Sequence, residues 1–283
     1  MKLVSIIIVT KNHSSYILRC LKSLTNQTYE NIEIIIVDDN SKDNTADLIK
    51  SINSPKIKYF IKTNNKGLAA LRNFGINKSK GDYIFFTDSD CIPVKNWIAE
   101  GMEQLVKDEF AGVEGKTIAE HQNFGASYHF VENYEGGQYQ TCNIAYKKKY
   151  LMKCNMFNEK YDLAYEDIDL AIRIKKISKI FFNSNMLVLH QLVPWSIKEL
   201  ILNARRAKYK VLLVKEHNYN KILFLRIIEI KSLIQIIFPF LLFFYYRIKS
   251  LRDLYIIPFI YFRAILHRLI VWKTAITEKI LIL

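Results

Sequence analysis

The stretch Tyr83-Ile84-Phe85-Phe86-Thr87-Asp88-Ser89-Asp90 joins an apolar run to a pair of carboxylates, and this order decides the fold. A short apolar run bounded by polar residues is typical of a strand buried in a sheet. Two longer runs precede it, at Leu3–Val9 and Ile32–Val37, and both are rich in Ile and Val. Such composition is expected of parallel strands that are covered on both faces. The sequence therefore predicts a buried, mostly parallel sheet.

Helical patterns lie between the apolar runs. Apolar residues at helical spacing predict helices at Ile17–Leu24, Thr45–Ile52, Gly67–Ile76, Trp97–Val106 and Glu166–Ile177. Pro93 occupies the position where the first turn of the fourth helix would begin. Further strands are predicted at Lys56–Ile61 and Met186–His190, whereas residues 108–160 have the turns and short strands of a loop region. Strands that alternate with helices are typical of an open α/β sheet with flanking helices.

Polar side chains follow the predicted strands at the points where the strands end. These residues are Thr10, Asp38, Asp39, Asp88, Asp90 and His190. In an open parallel sheet, ligands bind beyond the carboxyl ends of the strands. The sequence therefore predicts that these side chains form one polar and mostly anionic site.

Asp88 and Asp90 lie two residues apart, so in an extended chain both carboxylates face the same side. Hard divalent cations take such oxygen ligands and keep open positions for water or phosphate. The Asp-x-Asp pattern is weak by itself, since Asp167-Ile168-Asp169 repeats it. The strand-end position of the first pair favours a metal site there.

Glu166, Asp167 and Asp169 open a predicted helix, where acidic residues interact favourably with the helix dipole. Three acids exceed what capping requires, and a general base on a rigid helix is the alternative interpretation. His190 also has two interpretations, an ordinary strand-end histidine or an imidazole ligand of the metal. These residues alone leave both questions open.

The chain has no Gly-rich phosphate loop of the form G-x-x-x-x-G-K-[ST] or G-x-G-x-x-G. P-loop kinases and ordinary dinucleotide dehydrogenases are therefore excluded. A nucleotidyltransferase on a similar sheet would require a Gly-rich first loop, which Thr10-Lys11-Asn12-His13 does not supply.

Four segments resemble the motifs of the inverting nucleotide-sugar glycosyltransferases of family 2, which have the GT-A fold. The segments are Val4–Asn12, Val37–Thr45, Asn65–Asp90 and Tyr165–Leu170, in the family's order and spacing. The resemblance covers roughly residues 3–210. It implies a Rossmann-like, mostly parallel sheet and transfer of a sugar from a nucleotide-diphosphate-sugar to an acceptor hydroxyl.

The resemblance also implies donor-side roles. Thr10 and Asp39 would contact the nucleotide base, and Arg72 would lie beside the nucleotide. Asp88 would approach the ribose or the metal. Asp90 would bind Mn²⁺ or Mg²⁺ together with the diphosphate. The position of His190 matches one that in many members completes this metal site.

On the acceptor side, the resemblance makes Asp167 the base that takes the proton from the attacking hydroxyl, with Glu166 in the same catalytic motif. A single displacement of this kind inverts the anomeric configuration. Asn143, beside the acceptor strand, and Asp169 are further candidate acceptor contacts.

The formal charge of +14 is concentrated in the last third of the chain. Residues 195–283 hold 16 Lys and Arg against 5 Asp and Glu, whereas residues 1–194 hold 25 against 22. Basic residues mixed with apolar ones indicate an anionic membrane surface as partner, and no nucleic acid. Four cysteines without C-x-x-C spacing indicate a reducing compartment, and Leu3–Val9 is too short an apolar run for a signal peptide. The expected location is the cytoplasmic face of the membrane.

Two apolar stretches lie in this basic region, at Ser232–Tyr246 and Leu254–Phe262. Both are shorter than the roughly 20 residues that cross a bilayer. Helices lying in the membrane interface are therefore expected, with membrane-spanning helices and a soluble helical subdomain or oligomer surface as alternatives. The predicted domains are a catalytic domain at residues 1–215, with a nucleotide-binding half at 1–107 and an acceptor half at 108–215, and a membrane-associating tail at 216–283.

Together with the resemblance, these features lead us to expect a metal-dependent inverting glycosyltransferase of cell-envelope polysaccharide or glycolipid synthesis. A UDP-sugar is the favoured donor, and the acceptor is a glycan or a lipid-linked sugar. The alternative is a catalytically silent relative that acts as a membrane-bound partner in a synthase complex.

Overall fold

The computed structural model describes residues 1–63, 66–219, 230–246 and 248–282. The chain forms two compact units, of which the first comprises Met1–Glu120 and Phe130–Gln191 and the second His121–His129 and Leu192–Leu283. Asn65, which opens the third motif, lies outside the described residues, as does part of the predicted tail. The predicted boundary between residues 215 and 216 falls inside the second unit.

An eight-stranded sheet forms the centre of the first unit. Its strands are β1 Val4–Thr10, β2 Ile32–Asp38, β3 Ile57–Ile61, β4 Tyr83–Phe86, β5 Cys91–Pro93, β6 Phe110–Ala119, β8 Ile144–Lys147 and β9 Lys179–His190. They are ordered β3-β2-β1-β4-β8-β6-β9-β5. The first four strands are parallel to one another, β6 is parallel to β9, β8 is antiparallel to both of its neighbours, and β5 is antiparallel to β9. The predicted mostly parallel sheet is confirmed.

Helices cover both faces of this sheet. They are α1 Ile17–Thr25, α2 Thr45–Ser51, α3 Leu68–Lys78, α4 Trp97–Leu105, α5 Lys148–Lys153 and α6 Glu166–Lys175. All five predicted helices are present, and their ends lie within two residues of those predicted, except that α4 begins at Trp97 and the sequence places its first turn at Pro93. Ile6 and Ile8 of β1 pack against α1 in one core cluster, whereas Ile7 packs with α3 and α6 in the other. The uninterrupted apolar run of β1 follows from this burial on both faces.

The structure contradicts two predictions in the middle of the chain. Pro93 ends β5 and is not in a helix, because α4 begins only at Trp97. β5 is the last strand of the sheet, and an edge strand tolerates proline, which cannot donate to a neighbouring strand. The strands within 108–160 are not all short, since β6 has ten residues. Gly115 resembles a turn residue in the sequence but lies in β6, where a Cβ atom would come within 2.1 Å of the Met186 carbonyl oxygen.

The second unit is mainly helical. Its elements are β7 Tyr128–His129, β10 Val193–Pro194, α7 Ile197–Leu202, a 3₁₀ helix Asn203–Arg206, α8 Ala207–His217, α9 Ile230–Ile237, α10 Leu241–Tyr245 and α11 Leu251–Thr277. β7 and β10 pair in antiparallel fashion, and α11 packs against α7, the 3₁₀ helix, α8 and α9. Among the described residues, α11 is the one helix that is long and apolar enough to cross a membrane.

The predicted apolar stretch Leu254–Phe262 is only part of a helix of 27 residues, which is long enough to cross a bilayer, so the shortness of the stretch does not decide between an interfacial and a membrane-spanning helix. In the sequence, the apolar stretch ends at the charged residue Arg263. In the structure the Arg263 guanidinium donates to the Tyr246 hydroxyl at 3.3 Å, and Arg268, one turn further on, is buried. Because these charges are accommodated within the unit, the helix continues past them.

Asp253 fixes the beginning of α11. Its carboxylate is 1% exposed and accepts hydrogen bonds from the Ser127 amide at 2.8 Å, the Ser127 hydroxyl at 2.6 Å, the Lys249 amide at 2.9 Å and the Ser250 hydroxyl at 2.9 Å. The Ser250 hydroxyl in turn accepts from the Asp253 amide, which caps the helix. Segment 121–129 is thereby tied to the beginning of α11.

We expect Asp253→Ala to lower the free energy of unfolding of the second unit by about 2 kcal/mol at pH 7. Burial alone raises the pKa of Asp253, but the hydrogen bonds from Ser127, Lys249 and Ser250 outweigh it and lower the pKa to about 2. A pKa below that of the unfolded chain stabilises the fold above about pH 4, and this contribution is lost as pH falls through about 2.

Thermal unfolding between pH 2 and pH 7 measures this effect. Asp47, an exposed acid in the first turn of α2, provides the control variant Asp47→Ala. The difference between the two variants should be largest at pH 7 and shrink below about pH 4. Equal unfolding temperatures at pH 7 would contradict the role given to Asp253.

Candidate active site

A cleft of about 220 Å³ opens in the first unit where β1, β2 and β4 end. It brings together five of the residues predicted to bind the donor or the metal, namely Thr10, Asp39, Arg72, Asp88 and Asp90. Leu68 and Leu71 of α3 form an apolar part of the wall. The cleft lies at the carboxyl edge of the parallel strands, which is where ligands bind in open α/β sheets.

Thr10 and Asp39 lie at neighbouring strand ends. The Thr10 hydroxyl is buried and makes no hydrogen bond within the described part of the chain. An unsatisfied buried hydroxyl costs about 1–3 kcal/mol, which a ligand in the cleft would remove. The Asp39 carboxylate faces the cleft and pairs with the Lys11 ammonium at 2.6 Å.

The preceding acid, Asp38, has a structural role and does not face the cleft. Its carboxylate is buried and accepts hydrogen bonds from the Ser41 amide at 2.9 Å, the Ser41 hydroxyl at 2.6 Å and the Tyr59 hydroxyl at 2.5 Å. Successive side chains of a strand point to opposite sides, so the register of β2 separates the two acids. Asp39 is therefore the one that is placed to meet a ligand.

Arg72 of α3 lies at the centre of the site. Its guanidinium donates to a Glu166 carboxylate oxygen and lies 3.6 Å from the Asp88 carboxylate. Burial lowers the pKa of Arg72, but Glu166, Asp88 and Asp167 outweigh this effect and raise it. The buried guanidinium therefore stays charged and joins the strand end after β4 to the beginning of α6.

Gly67 sets the position of α3 and therefore of Arg72. The residue has φ +102°, and a Cβ atom there would come within 2.2 Å of the Asp162 carbonyl oxygen. The same carbonyl accepts from the Leu68 amide at 3.0 Å at the start of the helix. Only glycine fits this combination of backbone angle and close approach.

The chain enters α6 through Tyr165, whose left-handed backbone (φ +68°) is uncommon for a large side chain and is typical of functional sites. Glu166 is buried and holds Arg72, and its second carboxylate oxygen makes no hydrogen bond to the described residues. Asp169 is also buried and pairs with Arg173 one turn later at 2.5 Å. Asp167 is half-buried, and its negative charge helps to raise the pKa of Arg72.

Asp90 and His190 form the candidate metal centre. Both are buried, and Asp90 Oδ1 lies 3.9 Å from His190 Nε2, a gap that one ion with bonds of about 2.1 Å to each atom can bridge. His190 Nδ1 lies 2.8 Å from the Gln191 carbonyl oxygen, which can only accept, so Nδ1 carries the proton. The Nε2 lone pair is then directed at Asp90, as in other metal sites where a carbonyl orients the histidine. The residues present therefore fit a divalent cation.

Negative charge accumulates beside this centre. Burial raises the pKa of Asp88; Arg72 opposes that effect, but the neighbouring Asp90 carboxylate adds to it, and the pKa is raised overall. The Cys91 thiol lies in the same cluster, and burial raises its pKa well above the usual range, so without a metal it stays protonated. A bound cation would stabilise the ionised form of neighbouring carboxylates such as these.

A family model described as "Glycosyl transferase family 2" matches residues 5–176, which is more than half of the chain. These residues include the whole cleft and the beginning of α6.

The chain belongs to glycosyl transferase family 2.

Individual relatives agree with this assignment. An uncharacterized glycosyltransferase of Haemophilus influenzae is 35% identical over 153 residues, covering 53% of this chain and 56% of the relative. The UDP-Glc:alpha-D-GlcNAc-diphosphoundecaprenol beta-1,3-glucosyltransferase WfaP of Escherichia coli is 33% identical over 189 residues, covering 63% of this chain and 72% of the relative. The chain spans about half the length of the first of these relatives.

Solved structures show the same architecture. The mannosyltransferase PcManGT from Pyrobaculum calidifontis, in complex with GDP-Man and Mn²⁺, superposes with a TM-score of 0.59 at 14% identity, covering 97% of this chain and 73% of the other. The GT-A fold predicted from the sequence is confirmed.

Among the predicted site residues of this family 2 chain, Asn143 is engaged on both sides of its amide. The oxygen accepts from the Trp97 indole N–H at 2.8 Å, and the nitrogen donates to the Lys116 and Met186 carbonyls at 2.7 and 2.9 Å. The residue is 2% exposed. Its side chain therefore joins α4, β6 and β9, with little capacity left for an acceptor.

Three residues of the candidate site were not identified from the sequence. Lys11 binds Asp39, His13 Nδ1 lies 2.6 Å from the Ser89 hydroxyl, and Cys91 lies beside Asp90 and His190. Lys11 and His13 follow β1 directly, so the strand-end rule that selects Thr10 extends to them. No sequence signal identifies Cys91, which looks like an ordinary core cysteine.

Proposed function

We propose that the chain transfers a sugar from a nucleotide-diphosphate-sugar to an acceptor hydroxyl, with inversion at the anomeric carbon, in cell-envelope polysaccharide or glycolipid synthesis. One observation carries this proposal. Arg72 binds Glu166 of the catalytic-base motif and lies 3.6 Å from Asp88 of the donor cleft. Donor cleft and base motif therefore share one buried guanidinium and act as a single site.

A UDP-sugar is the favoured donor. The Asp39 carboxylate can accept the ring N–H of uracil, and the Lys11 ammonium beside it can donate to the adjoining carbonyl oxygen. The name of the Escherichia coli relative specifies UDP-Glc, which supports this choice. Guanine offers a similar N–H and carbonyl edge, so GDP-sugars belong in the test.

Asp90 and His190 would hold Mn²⁺ or Mg²⁺, and the Asp88 carboxylate interacts electrostatically with both of them. When bound, the ion supplies positive charge to the diphosphate as it leaves. The mannosyltransferase structure that contains Mn²⁺ supports the choice of a divalent cation.

Asp167 would act as the general base from the first turn of α6, where it is half-buried and accessible to an acceptor. The acceptor oxygen forms the new bond to the anomeric carbon as the bond from that carbon to the diphosphate oxygen breaks. Asp167 takes the hydroxyl proton, and the electron pair leaves with the nucleoside diphosphate. Attack from the face opposite the leaving group inverts the configuration.

We expect Glu166→Gln to weaken donor binding about tenfold, with little effect on turnover at saturating donor. The substitution removes a charged partner of Arg72, and hydrogen bonds to charged groups contribute about 1.5–3 kcal/mol. Donor affinity by calorimetry and turnover by nucleotide release separate the two effects. A large loss of turnover at saturating donor would instead place Glu166 in the proton transfer.

The acceptor is a glycan or a lipid-linked sugar presented at the cytoplasmic face of the membrane, with an anionic lipid surface as partner. The name of the Escherichia coli relative, which specifies a diphosphoundecaprenol-linked acceptor, supports a lipid-linked one. The apolar helix α11 and the basic composition of residues 195–283 also favour a membrane setting.

A panel of nucleotide sugars tests the proposal against a catalytically silent partner of a synthase complex. Thermal shift with and without Mn²⁺ identifies the donor, and metal-dependent hydrolysis of that donor measures turnover. A UDP-sugar should stabilise the protein, and more so with Mn²⁺. If no donor is hydrolysed and Asp90→Ala leaves donor binding unchanged, the silent relative is the correct interpretation.

A further inference from the structure

Helix α11 is apolar on two opposite faces. Residues at helical spacing are buried along its whole length, among them Ile256, Ile260, Ala264, Arg268, Val271 and Ala275. This face packs against α7, the 3₁₀ helix and α8 within the second unit. The first apolar face therefore has its partner in the unit itself.

The second apolar face is exposed. At 100° per residue, positions on the exposed side within an arc of about 100°, from Leu254 and Trp272 to Tyr255, carry apolar side chains, with Lys273 as the one charge. The most exposed of them include Leu254, Tyr255, Phe262, Leu269, Trp272 and Ile276. With a rise of about 1.5 Å per residue, this exposed stripe runs for about 40 Å.

Exposed apolar side chains are also frequent in the helices that precede α11. Of the 23 large hydrophobic side chains that are exposed in the described chain, 15 lie between Ile234 and Leu281. Ile237 of α9, Phe240 and Tyr245 belong to this set. Soluble monomers rarely expose apolar patches of this size, so another surface is expected to cover this one.

We propose that α11 lies flat on an anionic bilayer, with its exposed stripe in the acyl region and the surrounding Lys and Arg among the headgroups. A second copy of the chain would match the apolar stripe equally well. It would, however, bring together two segments that each hold 16 basic against 5 acidic residues. An anionic lipid surface complements that charge.

The packing of α11 argues against crossing, although its length permits it. The helices on its buried face present exposed basic side chains, including Lys198, Arg205, Arg206, Lys208 and Lys215. A crossing helix would carry these charges into the hydrocarbon. A flat helix leaves them in water or among headgroups, which is the arrangement of interfacial amphipathic helices.

Vesicle co-sedimentation of the full chain tests the surface. The variant Leu254→Glu/Phe262→Glu/Leu269→Glu places three charges on the stripe, at side chains 47%, 47% and 51% exposed. The matched control is Val106→Glu/Met152→Glu/Ile177→Glu in the first unit, where the exposures are 55%, 47% and 42%. Binding to vesicles that contain phosphatidylglycerol should fall at least tenfold for the stripe variant and stay unchanged for the control.

Labelling of single cysteines tests how α11 is oriented relative to the bilayer. The residues of the exposed stripe are left unchanged in this experiment. Arg252→Cys and Thr277→Cys mark the two ends of α11 on exposed positions outside the stripe, and Cys154→Ser removes the native cysteine that is not buried. A membrane-impermeant maleimide added outside sealed vesicles should label both ends equally. A crossing helix would leave one end unlabelled until the vesicles are permeabilised.

Three outcomes would overturn the inference. The first is equal vesicle binding by the stripe variant and its control, and the second is labelling of only one end of α11. The third is a dimer in solution that the stripe variant abolishes, when neither the unsubstituted protein nor the stripe variant binds vesicles. The inference does not rest on the proposed transferase activity. Sugar transfer without vesicle binding would refute the proposed membrane-binding surface but not the transferase activity. Vesicle binding without turnover of any donor would refute the transferase activity but not the surface.

Discussion

Asp167→Asn is expected to lower turnover 10²–10⁴-fold while donor affinity stays within about twofold of the unsubstituted protein. The carboxylate lies half-buried in the first turn of α6, and an amide of nearly the same shape cannot take a proton. The Arg72–Glu166 ion pair, which organises the donor side, is unaffected by the change. Single-turnover transfer to an acceptor measures the rate, and calorimetry measures donor binding.

Asp108→Asn is the matched control for this prediction, because Asp108 has a fully exposed side chain far along the chain from the base motif. It should leave both quantities unchanged. Turnover of Asp167→Asn within threefold of the unsubstituted protein would exclude Asp167 as the base. A loss of donor affinity equal to the loss of turnover would show that Asp167 binds the donor and does not take the proton.

The sequence predicted those parts of the structure that depend on local patterns. The runs that became β1, β2 and β4 are apolar because both faces of the sheet are covered, so their positions could be predicted from composition. The carboxyl ends of these strands then had to meet at one edge, which is why Thr10, Asp39 and Asp88 line one cleft.

Features set by distant contacts could not be predicted. Arg72 and Glu166 are 94 residues apart, and no local pattern shows that they pair. The left-handed backbone of Tyr165 is favoured by no property of tyrosine and is imposed by its surroundings. Pro93 is typical of the first turn of a helix, and the sequence does not show that it lies in a strand. The position of β5 at the edge of the sheet explains why a proline is tolerated there.

The second unit shows the same limit. The apolar stretch was predicted to end at Arg263 because charged residues follow it. A sequence does not show that one of these residues, Arg268, is buried within the unit, so the continuation of the helix could not be predicted. A helix with two apolar faces also lacks the alternation by which an amphipathic helix is recognised. The length of α11 and its two faces therefore became visible only in the structure.

Asp90→Asn is expected to weaken Mn²⁺ binding at least 100-fold and to lower metal-dependent transfer about 10³-fold. Loss of a residue that merely supports a metal ligand costs about 10–100-fold in metal affinity, and Asp90 is itself the carboxylate nearest the histidine. A bound cation stabilises developing charge by several kcal/mol, and each 1.36 kcal/mol is a factor of ten in rate. Mn²⁺ affinity is measured by electron paramagnetic resonance without any donor present, so the binding result does not depend on activity.

Two comparisons make this result decisive for the metal centre. His190→Ala should weaken Mn²⁺ binding in the same direction, since the Gln191 carbonyl fixes the proton on Nδ1 and directs Nε2 at Asp90. Asp43→Asn, which changes an exposed carboxylate outside the cleft, should leave Mn²⁺ affinity unchanged. If Asp90→Asn binds Mn²⁺ as tightly as the unsubstituted protein, Asp90 and His190 are not the metal centre, and their burial beside Asp88 needs another explanation.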